Sequence, residues 1–232
     1  MRIVALDAST ENCAVAIGDG SAWRQRLERA GQRHSELMLP MVRDLLAQER
    51  LTLADMRGIA FGAGPGSFTG LRIACGVAQG LALGAGLSVV GVSTLEAMAE
   101  TARVRHGATR VIAALDARMH EVYIGAYEHR GHRWQVVIEP EALKPAALSL
   151  PEGRGWAGVG PGFVTYPELR AGLGLAPGSC FEDVMPEAVA IGALALPRFA
   201  AGEAVLPREA APIYVRQRVA LTAAERAAGM RL

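Results

Sequence analysis

Near its start the chain reads Arg2-Ile3-Val4-Ala5-Leu6-Asp7-Ala8, and at residue 110 the pattern begins again as Arg110-Val111-Ile112-Ala113-Ala114-Leu115-Asp116-Ala117. Each copy is a short aliphatic run that stops at an aspartate, the pattern of a buried strand ending in a polar turn. After the first copy come a turn at Ala8-Ser9-Thr10-Glu11-Asn12, a second run from Cys13 to Ile17, and an Asp19-Gly20 hairpin into a third strand through Trp23 and Leu27. Apolar residues then recur at helical steps from His34 (Leu37, Met38, Met41, Val42, Leu45, Leu46), followed by strands at Ile59 to Ala63 and Leu87 to Val92. After the second copy, strands at Glu121 to Tyr127 and Trp134 to Ile138 repeat the opening order. The repetition predicts an α/β fold of two related lobes, 1–108 and 109–232, each a mixed sheet with helices. The second lobe is reduced: a proline- and glycine-rich region, 140–186, holds one short strand at Trp156 to Val159, and a final helix spans about 187–199. The tail 206–232 contains Pro212-Ile213-Tyr214-Val215-Arg216 and an Ala/Arg-rich end.

The stretch FGAGPGSFTGLRIACGVAQGLALG, 61–84, reads as a strand end, a glycine loop and a helix. Gly62, Gly64, Gly66 and Gly70 allow close approach to the backbone, and Ser67 or Thr69 can cap the helix. Unpaired amides at a helix start favour an anion. Arg72, a cation that opposes the dipole in the first turn, suggests an anionic partner nearby. Asp7, Ser9 and Thr10 sit at the end of the first strand, where an ATP-cleaving fold would hold a hydrated metal. The candidate nucleotide or anion site is therefore Asp7, Ser9, Thr10, Gly64, Gly66, Ser67, Thr69 and Arg72, with weak ATP or ADP binding as its upper expectation. The plain alternative is a tight strand-to-helix turn with Asp7 capping its own loop. A P-loop is excluded by spelling, since the single lysine is Lys144, and the dinucleotide and nucleophile-elbow patterns fail as well.

Gly76, Gly80 and Gly84 repeat every fourth residue on the helix after the loop. Each costs about 1 kcal/mol relative to alanine, so a helix packs closely there, either within the lobe or from a partner subunit. Ser93-Thr94-Leu95-Glu96 has capping-box spelling for the next helix.

With 51% apolar and 20% charged residues, the chain has the composition of a folded globular protein. A net charge of +1 provides no broad field toward nucleic acid or membrane. Cys13, Cys75 and Cys180 show no metal-ligand spacing, no apolar run reaches the ~18 residues of a membrane span, and the amino terminus lacks a signal-peptide core. These features predict a cytoplasmic protein.

A duplicated βββαβ lobe with aspartate closing the first strand resembles the ribonuclease-H-like superfamily of actin, sugar kinases and the Hsp70 ATPase. Within it, GAGPGSFTGLRIACGVAQGLA (62–82), RHSELMLPMV (33–42), VGVSTLEAMA (90–99) and DARMHEVYIGAY (116–127) resemble the TsaB, or YeaZ, family. The likeness covers nearly all of 1–130 and thins to PIYVR at 212–216. It implies a non-catalytic subunit of the bacterial machinery that forms N6-threonylcarbamoyladenosine at position 37 of tRNAs reading ANN codons. The implied partners are the transferase TsaD, the ATPase TsaE, a TsaC-type synthase indirectly, tRNA through the complex, and a second copy when the chain is alone. The partner surface it implies comprises His34, Leu37, Met38, Met41, Leu45, Cys75, Gly76, Gln79, Gly80 and Leu83.

TsaD carries two metal-binding histidines four residues apart in a segment like VGVNHLEGH. Here Thr94 and Met98 stand at those positions, so no metal site and no catalytic residue are expected. The rival reading is an enzyme of the same superfamily, a metal-dependent glycoprotease-like peptidase or an ATP-dependent phosphotransferase.

Overall fold

The computed structural model describes residues 1–149 and 151–216. The sequence from 217 onward, including the Ala/Arg-rich end of the tail, lies outside the described residues.

Strand β1 (Ile3–Asp7) pairs antiparallel with β2 (Asn12–Gly18), which pairs antiparallel with β3 (Trp23–Arg29). Helix α1 (His34–Gln48) leads to β4 (Ile59–Gly64), parallel to β1 with Leu6 opposite Phe61. Helix α2 (Phe68–Ala85) and β5 (Val89–Ser93) complete a five-stranded sheet of order β3-β2-β1-β4-β5. After α3 (Thr94–His106) the same order is built again: β6 (Arg110–Asp116), β7 (Val122–Arg130) and β8 (Arg133–Leu143) are antiparallel, and β9 (Ala157–Val159) runs parallel to β6. Short helices α4 (Gly162–Thr165) and α5 (Glu168–Gly172) precede β10 (Cys180–Phe181), giving a second sheet of order β10-β9-β6-β7-β8, and α6 (Ala188–Ala200) follows. The two sheets share one topology, so Asp7 and Asp116 end equivalent strands. The second is the reduced copy, with three residues in β9 and two in β10.

β1 is apolar throughout because both of its faces are covered. Val4 and Leu6 join Val15, Ile59 and Phe61 under α1 and α2, while Ile3 and Ala5 point to the opposite face. That second face is lined by Ala5, Ala14, Ala16 and Ala60, small side chains that let a helix come close. The helix is α6, through Ala188, Ile191 and Ala195, with Gly192 against the Trp23 indole. The sequence reading placed this helix at the end of the second lobe; in the fold it crosses the first sheet. α3 does the reverse. Its Leu95, Met98, Ala99 and Ala102 pack on Val111, Ala113 and Leu115 of the second sheet. Each sheet therefore receives the helix that follows the other, and α3 and α6 touch between them.

Ser93 caps α3 by accepting the Glu96 N–H. Glu96 turns its carboxylate to Arg198 of α6, an interlobe ion pair, where the sequence suggested a return bond to the cap. α2 is long and apolar enough to cross a bilayer by length and composition alone, but its Leu71, Ala74, Ala78 and Ala82 side is packed in the protein.

Candidate partner surface and glycine loop

The β1–β2 turn and the glycine loop meet. Asp7 Oδ2 accepts the Ser9 N–H (3.2 Å) and the Ser9 Oγ–H (3.0 Å), and the whole residue is buried. Ser9 in turn offers its carbonyl to the Ser67 N–H at 2.7 Å. Gly66 lies against Ser9, and a Cβ at Gly70 would be driven into the Ala8 carbonyl oxygen. Ser67 caps α2, its Oγ accepting the Gly70 N–H at 3.3 Å. Thr10 caps its own turn by accepting from the Asn12 N–H.

Asp7 Oδ2 thus caps its own turn, as the plain alternative described, and the residue lies closed under the loop. Burial pushes its carboxyl up to about 7, against the pull of the two Ser9 hydrogen bonds. The Asp7 charge and burial together push the neighbouring Cys13 thiol up, burial being the larger cause.

The cation expected to face an anion is engaged inside the chain. Arg72 Nε donates to Tyr214 Oη at 2.8 Å, and its guanidinium lies 4.0 Å from the centre of the Phe68 ring. Gly64, at φ +124°, has the Ile213 carbonyl oxygen 2.6 Å from where a Cβ would be, and the Ile213 N–H donates to Ala63 O at 2.7 Å. Thr69 remains exposed in the first turn. The expected cluster does converge, with Gly64 against the tail and Asp7 under the loop, while Arg72 stays exposed with its guanidinium held by Tyr214 and Phe68.

The residues expected to face a partner divide in two. Met38, Met41 and Leu45 are interior, at 0%, 2% and 3% exposure, and Leu37 packs beside them. The wide α1 stripe is taken up by the first sheet and α2, which corrects its assignment as a contact face. His34 is buried as well. Its Nε2 lies 3.0 Å from Thr10 O and 3.2 Å from Asn12 O, two acceptors, so it carries the proton and ties α1 to the β1–β2 turn. Cys75 is buried, its Sγ–H directed to Ala210 O at 3.5 Å, and Gln79 Nε2 donates to the same carbonyl at 3.0 Å.

Gly76, Gly80 and Leu83 are the exposed members, with Leu83 at 76%. Among the described residues, a Cβ built on Gly76, Gly80 or Gly84 meets nothing within 4 Å. The close-packing helix that the spacing calls for is therefore not found among the described residues of this lobe. Beside the stripe, Leu39, Pro40, Val42, Leu46, Leu53 and Leu81 line a shallow apolar groove between α1 and α2. Leu39, half-exposed on the outer side of α1, was passed over in the sequence although it is an apolar residue off the buried stripe.

Because the glycines have no neighbour among the described residues, Gly76→Ala and Gly80→Ala are each expected to stabilise the isolated chain by about 0.5–1 kcal/mol. Urea unfolding at a concentration where the chain is monomeric measures this; a loss of stability there would mean that the stripe packs inside the fold.

Thr94 and Met98 are fully buried. Thr94 Oγ1 has no hydrogen-bond partner, and Met98 packs among Leu95 and Val111 with its methyl group toward Gly160. Neither side chain offers an imidazole nitrogen. Among the described residues no group of three His, Cys, Asp or Glu side chains converges as a metal site.

The family model for "TsaD: tRNA N6-adenosine threonylcarbamoyltransferase" matches residues 28–165. The tRNA threonylcarbamoyladenosine biosynthesis protein TsaB of Escherichia coli is 41% identical over 95% of this chain and 96% of its own length. The protein of the same name from Haemophilus influenzae is 35% identical over 94% and 95%. In three dimensions the chain matches YeaZ from Pseudomonas aeruginosa with a TM-score of 0.86 and 38% identity, covering 92% of this chain and 99% of that one. By its sequence and its two-sheet fold, the chain belongs to the TsaB (YeaZ) family within the broader group that the TsaD model describes.

Proposed function

We propose that this chain is the non-catalytic subunit that binds and organises a TsaD-type transferase while it forms N6-threonylcarbamoyladenosine at position 37 of tRNAs reading ANN codons. The observation that carries this is the open glycine stripe of α2. Three glycines at four-residue spacing weaken an exposed helix and meet nothing among the described residues, which supports a use for them at a surface shared with a second molecule. The names of the close relatives supply the pathway, and Thr94 and Met98 supply the reason for a partner, since the chain lacks the histidines on which the transferase depends.

In this reading TsaD docks on the α2 stripe and the α1–α2 groove, and a second copy of this chain takes the same surface when the transferase is absent. TsaE joins that assembly in the cytoplasm, tRNA is met through the complex, and a TsaC-type synthase supplies the activated threonylcarbamoyl group without docking here. Any ATP or ADP binding by the chain is weak and belongs to the complex.

Reconstitution tests the proposal. Purified transferase, TsaE, threonylcarbamoyl donor and tRNA are combined with and without this chain, and the modified nucleoside is measured by mass spectrometry. Product should form only when the chain and transferase are both present. Product from this chain without the transferase, or an equal rate without this chain, would refute the subunit role.

A further inference from the structure

The described end of the chain lies along α2 and then crosses to the second lobe. Ala210 O is held by Cys75 and Gln79; Ile213 is bonded to Ala63 beside the glycine loop; Tyr214 lies tilted against Phe68 with ring centres 5.4 Å apart and accepts the Arg72 bond. The segment runs antiparallel to the helix over the side formed by residues 79, 75, 72 and 68, next to the open glycine stripe. Arg216 then pairs with Glu121 and reaches Arg118 O and Met119 Sδ, each at 3.5 Å.

Its landing point is unusual. Arg118, Met119 and His120 are three consecutive non-glycine residues in the left-handed region, at φ 61°, 56° and 57°. Such a run persists only when its surroundings hold it. Asp116 Oδ1 holds one end by accepting the Arg118 N–H at 2.8 Å, and Arg216 holds the other. Between its anchors the segment is shallow, with Ile213 47% and Tyr214 46% exposed.

We propose that residues 210–216 are a latch that opens as one unit: loss of the Arg216–Glu121 pair on the second lobe uncovers the Cys75–Gln79 side of α2 on the first. The β6–β7 turn thereby controls how much of α2 is available to a second molecule. That consequence for assembly rests on the partner-subunit reading. The latch itself does not, and it is tested in the isolated full-length chain.

The experiment compares N-ethylmaleimide labelling of each cysteine, mapped by peptide mass, with backbone hydrogen exchange in the parent, Arg216→Ala and Glu121→Gln. Cys75, 4% exposed, reports the near end of the latch, and Cys13, 0% exposed, reports the core. Removing one charge-assisted hydrogen bond should raise Cys75 labelling and Ile213 amide exchange about tenfold. Cys13 labelling and exchange in β1 should stay at the parental rate. Should Arg216→Ala fail to fold, Glu121→Gln carries the test from the other side of the same pair. Cys75 labelling within twofold of the parent in a folded variant would show that the two ends are uncoupled. A matching rise at Cys13 would show general loosening, and either result overturns the latch whatever the reconstitution shows.

Discussion

Asp7→Asn should remove the loss of stability that ionisation of this one buried carboxyl imposes on the fold as pH rises from about 4 to about 7. In the native state Asp7 keeps its proton up to about 7, whereas in the unfolded chain it ionises near 3.8. Between those values the native state binds the extra proton, so stability falls as pH rises. The contribution is complete below the unfolded value and lost once pH passes the folded one. A displacement of that size corresponds to roughly 4 kcal/mol across the window. The physical cause is a carboxylate held at zero exposure, with Oδ1 facing Gly62 and no hydrogen-bond partner.

Asparagine does not ionise, and its carbonyl can accept both Ser9 donors. Its amide would then lie unpaired beside Gly62, at a cost of about 1–3 kcal/mol. The variant should therefore be the less stable protein at pH 4 and the more stable one at pH 8, the latter by about 1–3 kcal/mol. Glu100 and Glu128 titrate below the usual range and produce the opposite slope, but they are common to both proteins and cancel in the comparison. Urea unfolding at several pH values measures the difference. Parallel profiles would mean that Asp7 is ionised in the native state and that the β1–β2 turn opens to water.

The strand plan was legible because β1 and β6 are buried on both faces, which forces unbroken apolar runs, and because each ends at an aspartate. The exchange of helices was not. Nothing in the apolar residues of α3 or α6 says which sheet they cover; the decision lies in the alanines at 5, 14, 16 and 60, which favour a helix on that face without naming it. The α1 stripe was visible as a stripe, but its width reflects the sheet and α2 beneath it, so Met38, Met41 and Leu45 proved to be core. At the glycine loop the spelling revealed a close backbone approach, and the structure shows that the approaching group is the chain itself, at Ala8 and Ser9. Arg72 suggested an outside anion because its partner, Tyr214, is 142 residues away in the chain.

Gly80→Leu should separate folding from association. A Cβ at Gly80 meets nothing within 4 Å among the described residues, so the variant should fold and unfold like the parent, with the gain from leaving glycine as its main effect on stability. The same side chain would stand at the middle of the smooth stripe, where a facing helix can approach closely only because glycine carries no bulk. Overpacking there costs about 1–3 kcal/mol, which weakens association with the TsaD-type transferase roughly 5- to 150-fold. Gly80→Ala adds one methyl group and should fall between the parent and the leucine variant, since the penalty grows with the volume that the partner must accommodate. Isothermal titration against the transferase gives the affinities, and threonylcarbamoyladenosine formation in the reconstituted system should decline in the same order. Self-association of the isolated chain, followed by sedimentation, should weaken in parallel if the second copy uses this stripe. Were folded Gly80→Leu to bind the transferase as tightly as the parent, the α2 stripe would lie outside the interface, and the apolar groove formed by Leu39, Pro40 and Leu81 would be left to hold the partner.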